Sequence, residues 1–227
     1  MSVADNIKEL KAELPKGVRL IAVSKYHPKE MIEEAYNAGQ RVFGENKVQE
    51  MTAKHDCLPN DIEWHFIGHL QSNKIKYMAS YVAMIHSIDS YKLLAEVNKF
   101  AEREGRVIRC LLQIHIAQEE TKFGFSPEEC IDMLDNEPWQ SLNNIKICGL
   151  MGMGSNTDDN AQIEGEFRHM NALFNNIKSK WFAADDNFCE LSMGMSDDYH
   201  IAIAAGSTLV RIGSKIFGER NYQNPAV

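Results

Sequence analysis

A lysine that follows directly on an apolar strand is placed to act as a neutral amine. Burial disfavours its charged form, and a neutral amine attacks aldehydes. Ala22-Val23-Ser24-Lys25 has that arrangement. If the strand register allows, Lys25 points into the mouth of whatever the strand encloses; the same motif also describes a strand-end lysine reaching for solvent, as most lysines do. A second segment, Leu209-Val210-Arg211-Ile212-Gly213-Ser214, closes another apolar run. Gly213 lets an anion approach the backbone and Ser214 adds a hydroxyl. Backbone N–H groups after the last strands of a β/α barrel are its usual phosphate cradle. A turn glycine beside a helix cap would look the same.

Two more segments lie where a strand hands over to a helix. In Leu191-Ser192-Met193-Gly194-Met195-Ser196-Asp197-Asp198, Ser196 can cap the following helix or hold a phosphate. The acidic pair suits the helix dipole but repels a dianion, so both carboxylates are expected to point away from a phosphorylated ligand. Phe43-Gly44-Glu45-Asn46 and the stretch 64–74 are polar closures of two further runs. His65 alternates with apolar neighbours and reads as an interior histidine. With Ser72 and a nearby glutamate it lacks the elbow of a nucleophilic triad. His65, His69, His86 and Asp89 show no metal-ligand spacing, and no metal site is expected.

These segments need elements to position them. Apolar runs at 18–23, 41–43, 62–67, 82–85, 107–114, 145–150, 187–191 and 208–212 are rich in Ile, Val and Leu on both faces, as parallel strands under helices are. Amphipathic stretches alternate with them. In Asn160–Trp181, Ile163, Phe167, Met170, Phe174, Ile177 and Trp181 fall on one helix face. Ser126-Pro127-Glu128-Glu129 is a capping box with proline at the first helical position. Gly39 and Gly206 end helical patterns where a left-handed residue is wanted. An extra helix over 2–14 precedes the first strand. The alternation predicts an α/β fold, a single (β/α)8 TIM barrel over 1–227, with an open doubly wound sheet as its rival. The polar loop 152–160 reads as surface, or as a flap near a site.

Bulk properties narrow the function. The 227 residues suit one barrel, and 44% hydrophobic residues suffice for its core. With 24 basic against 32 acidic residues the formal charge is −8, without a dense basic cluster, so neither nucleic acid nor a membrane surface is expected as a partner. Cys57, Cys110, Cys130, Cys148 and Cys189 are scattered and odd in number, which fits reduced thiols in the cytoplasm. The N-terminus lacks a signal-peptide pattern, and no apolar run reaches membrane-spanning length. A small acidic barrel with no spare apolar helix face is expected to be a monomer.

Together the motifs resemble one family, the pyridoxal phosphate homeostasis proteins, whose barrel is like the N-terminal domain of alanine racemase. The resemblance covers residues 18–222. It rests on Ala22-Val23-Ser24-Lys25, Phe43-Gly44-Glu45-Asn46, Trp64-His65-Phe66-Ile67-Gly68, Gln71-Ser72-Asn73-Lys74, Gly149-Leu150-Met151, Ser192-Met193-Gly194-Met195-Ser196-Asp197-Asp198 and Ala205-Gly206-Ser207-Thr208 running into Arg211-Ile212-Gly213. It implies pyridoxal 5′-phosphate carried as a Schiff base on Lys25, with Arg211 facing the pyridine nitrogen. It further implies that Gly213, Ser214 and Ser196 hold the phosphate and that Asn46 and Met193 line the pocket. Ser214 stands where relatives often have threonine, which keeps the hydroxyl. His69 stands where they often have proline, a change at the pocket rim.

An arginine can only donate, so it keeps the ring nitrogen unprotonated and the ring a weak electron sink. The racemases resembled add a second domain that supplies a tyrosine base, and this sequence ends soon after the barrel. A non-catalytic cofactor carrier is therefore expected, with apo-enzymes as transient acceptors. A weakly active racemase-like enzyme and a lysine aldolase are the alternatives.

Overall fold

The computed structural model describes residues 2–117 and 123–219. The outer ends of the span 1–227, and Tyr222 near the end of the resemblance, lie outside the described residues. Eight parallel strands close into a barrel in chain order. They are β1 (Arg19–Val23), β2 (Val42–Glu45), β3 (Glu63–Phe66), β4 (Met84–Ile88), β5 (Ile108–Gln113), β6 (Ile145–Met151), β7 (Glu190–Ser192) and β8 (Leu209–Ile212). The last strand returns onto the first, with Ile21 beside Arg211 and Ala22 beside Ile212. The closed TIM barrel of the sequence reading is what forms, and the open sheet is not.

The helices are α1 (Val3–Glu13), α2 (Lys29–Asn37), α3 (Val48–His55), α4 (Tyr91–Arg103), α5 (Pro127–Asn136), α6 (Asn160–Trp181), α7 (Tyr199–Ala204) and α8 (Ser214–Phe217). Between β3 and β4 the connection is a 3-10 helix, Ser72–Tyr77. The capping box at Ser126 forms, with Ser126 and Glu129 bonding each other's backbone. Gly39 and Gly206 take φ of 89° and 101°, the left-handed values their positions demand. The extra helix α1 starts in a second capping box, at Ser2. It buries Val3, Ile7 and Leu10, each stabilising by about 1.5–3 kcal/mol. Asn6 Nδ2 donates to the Ile216 carbonyl at 2.9 Å, which ties α1 to α8 beside the site.

Strand alternation sorts the core into two shells. Trp64, Phe66, Ala22, Phe43, Leu191, Val210 and Ile212 face the helices. Ile21, Met84, Leu111, Cys148, Met151 and Leu209 fill the barrel. The same parity turns His65, His86, Ser192 and Arg211 inward, and all four are buried. These polar residues explain where two strands run on past the apolar runs. β4 runs on through His86 and Ser87, and β7 ends on Ser192, where polar side chains read as loop. At the amino ends of the strands Glu190 pairs with Arg19 and, at 2.9 Å, with Arg109, which closes the barrel floor.

Candidate functional site

At the carboxyl ends of the strands lies a cavity of about 210 Å³. Site construction at this end is the rule for the fold. Parity carries Ile21 and Val23 inward, then Ser24 outward, then Lys25 inward, and Lys25 lines the cavity with Val23 and His27. Asn46 and Ile67 contribute from the ends of β2 and β3. Arg211, Gly213 and Ser214 come from β8 and its turn, and Met153, Met195, Ser196 and Asp197 complete the wall. A larger hollow of about 390 Å³ sits at the other end of the barrel, near Lys11, Arg19 and Arg41. It contains none of the seven residues expected to hold a cofactor, so the candidate site is the cavity at the carboxyl end.

Six of the seven residues expected at the site, Lys25, Asn46, Ser196, Arg211, Gly213 and Ser214, therefore meet in one cavity. Met193 is the correction. It is fully buried and packs in the shell between strands and helices, because two residues from Leu191 returns it to the outward parity. Met195, more than a third exposed, takes the lining position. Asp197 is a second correction. It was expected to turn away but lines the cavity, whereas Asp198 folds back and accepts the Met195 N–H at 2.5 Å.

Gly213 is held close to β1. A Cβ there would stand 3.2 Å from the Val23 carbonyl oxygen, a contact that leaves little room for any side chain. Its N–H donates to Ser196 Oγ at 3.3 Å, so these two donors already converge. Arg211 is 4% exposed. It donates to Ser192 Oγ at 2.7 Å and to the Gly152 carbonyl at 2.9 Å. Burial lowers its pKa to about 10, with Asp198 acting the other way, so it keeps its charge at neutral pH.

Behind Arg211 a polar chain runs down the barrel. Ser192 Oγ lies 3.0 Å from His86 Nδ1, and His86 Nε2 lies 2.9 Å from His65 Nδ1. Burial, helped by Arg19 and Arg109, drops the His65 pKa to about 3. Burial likewise takes His86 well below its ordinary value, with His65 and Arg211 adding to the shift. Both imidazoles are therefore neutral, as an interior histidine should be. Arginine has no acceptor, so Ser192 accepts from it and keeps its own hydroxyl proton to offer to His86 Nδ1. His86 then donates from Nε2 to His65.

His69 does not reach the cavity. It stacks on Phe123 at 3.8 Å between ring centroids and lies 3.4 Å from Asp89. Among the described residues no cluster of potential metal ligands occurs. The loop 152–160 is only half surface. Gly152 and Gly154 are buried, and Glu166 grips Ser155 through its N–H at 2.7 Å and its hydroxyl at 2.6 Å. Sequence reasoning missed Val23, His27, Ile67 and Met153 as wall residues. The period-two register from Ile21 and from His65 would have indicated Val23 and Ile67.

Amine, arginine and a small-residue turn thus converge on one hollow. A family model for the alanine racemase N-terminal domain matches residues 1–221. A pyridoxal phosphate homeostasis protein of Aquifex aeolicus is 40% identical over 205 residues, covering 90% of this chain and 88% of its own. One from Helicobacter pylori is 43% identical over 204 residues, covering 89% and 88%. The solved structure of PipY from Synechococcus elongatus with PLP bound superposes with a TM-score of 0.85 at 36% identity, over 96% of this chain and 100% of that one. Without PLP the TM-score is 0.89. Alanine racemase of Clostridium difficile shares the fold, with a TM-score of 0.75 at 12% identity over 56% of its length. By its family model, its relatives and its barrel, this chain belongs to the alanine racemase N-terminal domain family and, within it, to the pyridoxal phosphate homeostasis proteins.

Proposed function

We propose that this chain binds pyridoxal 5′-phosphate as a Schiff base on Lys25 and serves to hold and release the cofactor, without turnover of amino acids. The observation that carries the reading is that Lys25 and the Arg211–Ser214 turn line a single cavity. The donor set fits the group. A primary amine suits the aldehyde. The Gly213 N–H with the hydroxyls of Ser196 and Ser214 suits the phosphate, and the Arg211 guanidinium suits an unprotonated ring nitrogen. Asn46 and Met195 line the same cavity and would form part of the wall around the group. Bound there, the cofactor supplies a reactive aldehyde protected as an imine.

The residues do the rest. Arg211 only donates, so it holds no proton-accepting partner against the ring and discourages carbanion chemistry. Among the described residues the cavity lining includes no tyrosine. The names of the relatives support a homeostatic role. Transient apo-enzyme acceptors, a monomeric state and a cytoplasmic location belong to the same proposal. No helix among the described residues is long and apolar enough to cross a membrane, and all five cysteines are free.

The test is one spectrum. The purified protein incubated with the cofactor is expected to be yellow, to bleach with borohydride and to carry the reduced adduct on Lys25. A Lys25→Ala variant that stays equally yellow and reducible would overturn the assignment. Solvent deuterium exchange into amino acids at ordinary enzymatic rates would favour the racemase-like reading instead.

A further inference from the structure

We infer that Glu50, held in place by Lys54, is a positioning residue for Lys25: its carboxylate fixes the left-handed backbone turn at Tyr26 that aims the Lys25 amine into the cavity. The inference rests on the reading of Lys25 as the attachment point.

Lys25 lies between two unusually constrained neighbours. Tyr26 has φ of 66°, the one non-glycine residue with positive φ among the described residues. A Cβ disfavours that conformation, so something must hold it. The Tyr26 N–H donates to Glu50 Oε1 at 2.6 Å. Beyond it the chain reverses, and the His27 N–H returns to the Ser24 carbonyl at 3.1 Å. On the other side Ser24 is fully buried, and its hydroxyl donates to Glu45 Oε1 at 2.6 Å.

One ammonium joins the two sides. Lys54 Nζ donates to the Ser24 carbonyl at 2.8 Å, to Glu45 Oε1 at 2.8 Å and to Glu50 Oε1 at 2.7 Å. Its three N–H groups are all used. Glu45 is 0%, Glu50 9% and Lys54 5% exposed. Such buried ionic clusters contribute little net stability compared with apolar packing, because desolvation offsets their attraction. Their geometric effect here is local. α3 and the end of β2 grip the residues immediately before and after Lys25, whose side chain lines the cavity.

Glu50→Ala removes the acceptor for Tyr26 yet leaves the Lys54 bonds to Glu45 and to the Ser24 carbonyl in place. The double variant Glu50→Ala/Tyr26→Gly adds a residue for which the left-handed turn costs nothing. Each full-length protein is freed of cofactor and titrated with pyridoxal 5′-phosphate, reading imine absorbance and thermal unfolding. Glu50→Ala is expected to bind about ten-fold more weakly, and Tyr26→Gly to restore binding in that background. Unchanged binding in Glu50→Ala, or no restoration by glycine, would overturn the inference, since a merely structural role gives glycine nothing to rescue. A cofactor-independent measurement separates this from the parent reading. The rate at which a neutral acylating reagent labels Lys25, followed by peptide mass, is expected to differ between parent and Glu50→Ala and to return with glycine. If borohydride traps no adduct on Lys25 in the parent, the attachment reading fails while the labelling rates still decide the positioning role, and equal rates reject it.

Discussion

Arg211 Nη1 lies 2.7 Å from the hydroxyl of Ser192, a buried donor facing an acceptor that has itself only one proton to give. The pair leaves Ser192 its hydroxyl proton to offer to His86, whose other ring nitrogen faces His65. It also sets the height at which the guanidinium meets the cavity.

Ser192→Ala is expected to leave one Arg211 N–H and His86 Nδ1 without partners inside the barrel. The cost should be about 1–3 kcal/mol, read as a lower urea midpoint with an unchanged slope. A Ser192→Cys variant keeps a weak donor and should lose less. Equal midpoints for Ser192→Ala and the parent would mean that the chain is not under load.

The two imidazoles make stability pH-dependent. Their folded pKa values are depressed, that of His65 to about 3. The unfolded chain therefore binds protons that the folded one refuses. The stabilisation is fully present above the unfolded value near 6.5 and is lost as pH falls below it, at about 1.4 kcal/mol per pH unit for each imidazole. Glu45 acts in the opposite sense. Burial lifts its pKa from 4.5 to about 7, so its contribution is present below the unfolded value and lost as pH rises through about 7. Between pH 6.5 and 5 the parent should show the slope of about one net proton, two imidazoles less one carboxyl. Glu45→Gln should approach two, measured by urea unfolding at both pH values. The same slope in parent and variant would contradict the burial argument.

Gly68 is a steric test of the cavity wall. A Cβ there would lie 2.2 Å from the Asn46 carbonyl oxygen and 2.7 Å from its Cα, both backbone atoms that cannot swing aside. Gly68→Ala is expected to cost about 1–3 kcal/mol as an overpacking change. By displacing Asn46 it should also weaken cofactor binding. The thermal midpoint and the imine titration check the two effects separately.

Glu166 holds the wall segment through Ser155 and also accepts from Gln162 at 2.9 Å. Glu166→Ala removes two charge-assisted bonds to Ser155, each worth about 1.5–3 kcal/mol. Limited proteolysis should then cut within 152–159 faster than in the parent, with the rest of the barrel equally resistant. Uniform acceleration at all sites would instead indicate global unfolding.

The barrel was legible in the sequence because parallel strands under helices are apolar on both faces, and each appears as a short Ile/Val/Leu run. Lys25, Arg211 and Gly213 were legible because they sit where those runs end. Met193 was misplaced because a motif match conveys order along the chain but not parity. Counting from Leu191 shows it must face the helices. The Glu50–Lys54 pair stayed hidden for a different reason. Charges four apart on a short helix normally form a solvated face, and nothing local reveals that this face turns inward toward Ser24. Asp197 was assigned by charge repulsion alone, which neglects the cation at Arg211 and the amine at Lys25 on the same cavity.

The pairing of β1 with β8 sets a constraint on timing. Lys25 follows directly on the first strand and Arg211 lies in the last, and nearly the whole polypeptide separates them. A nascent chain emerging from the ribosome owns the amine early but has nothing opposite it until the eighth strand is synthesised and docked. Loading must therefore follow the docking of β8 on β1, and any molecule bridging the two strands rivets the seam, so occupancy and closure rise together.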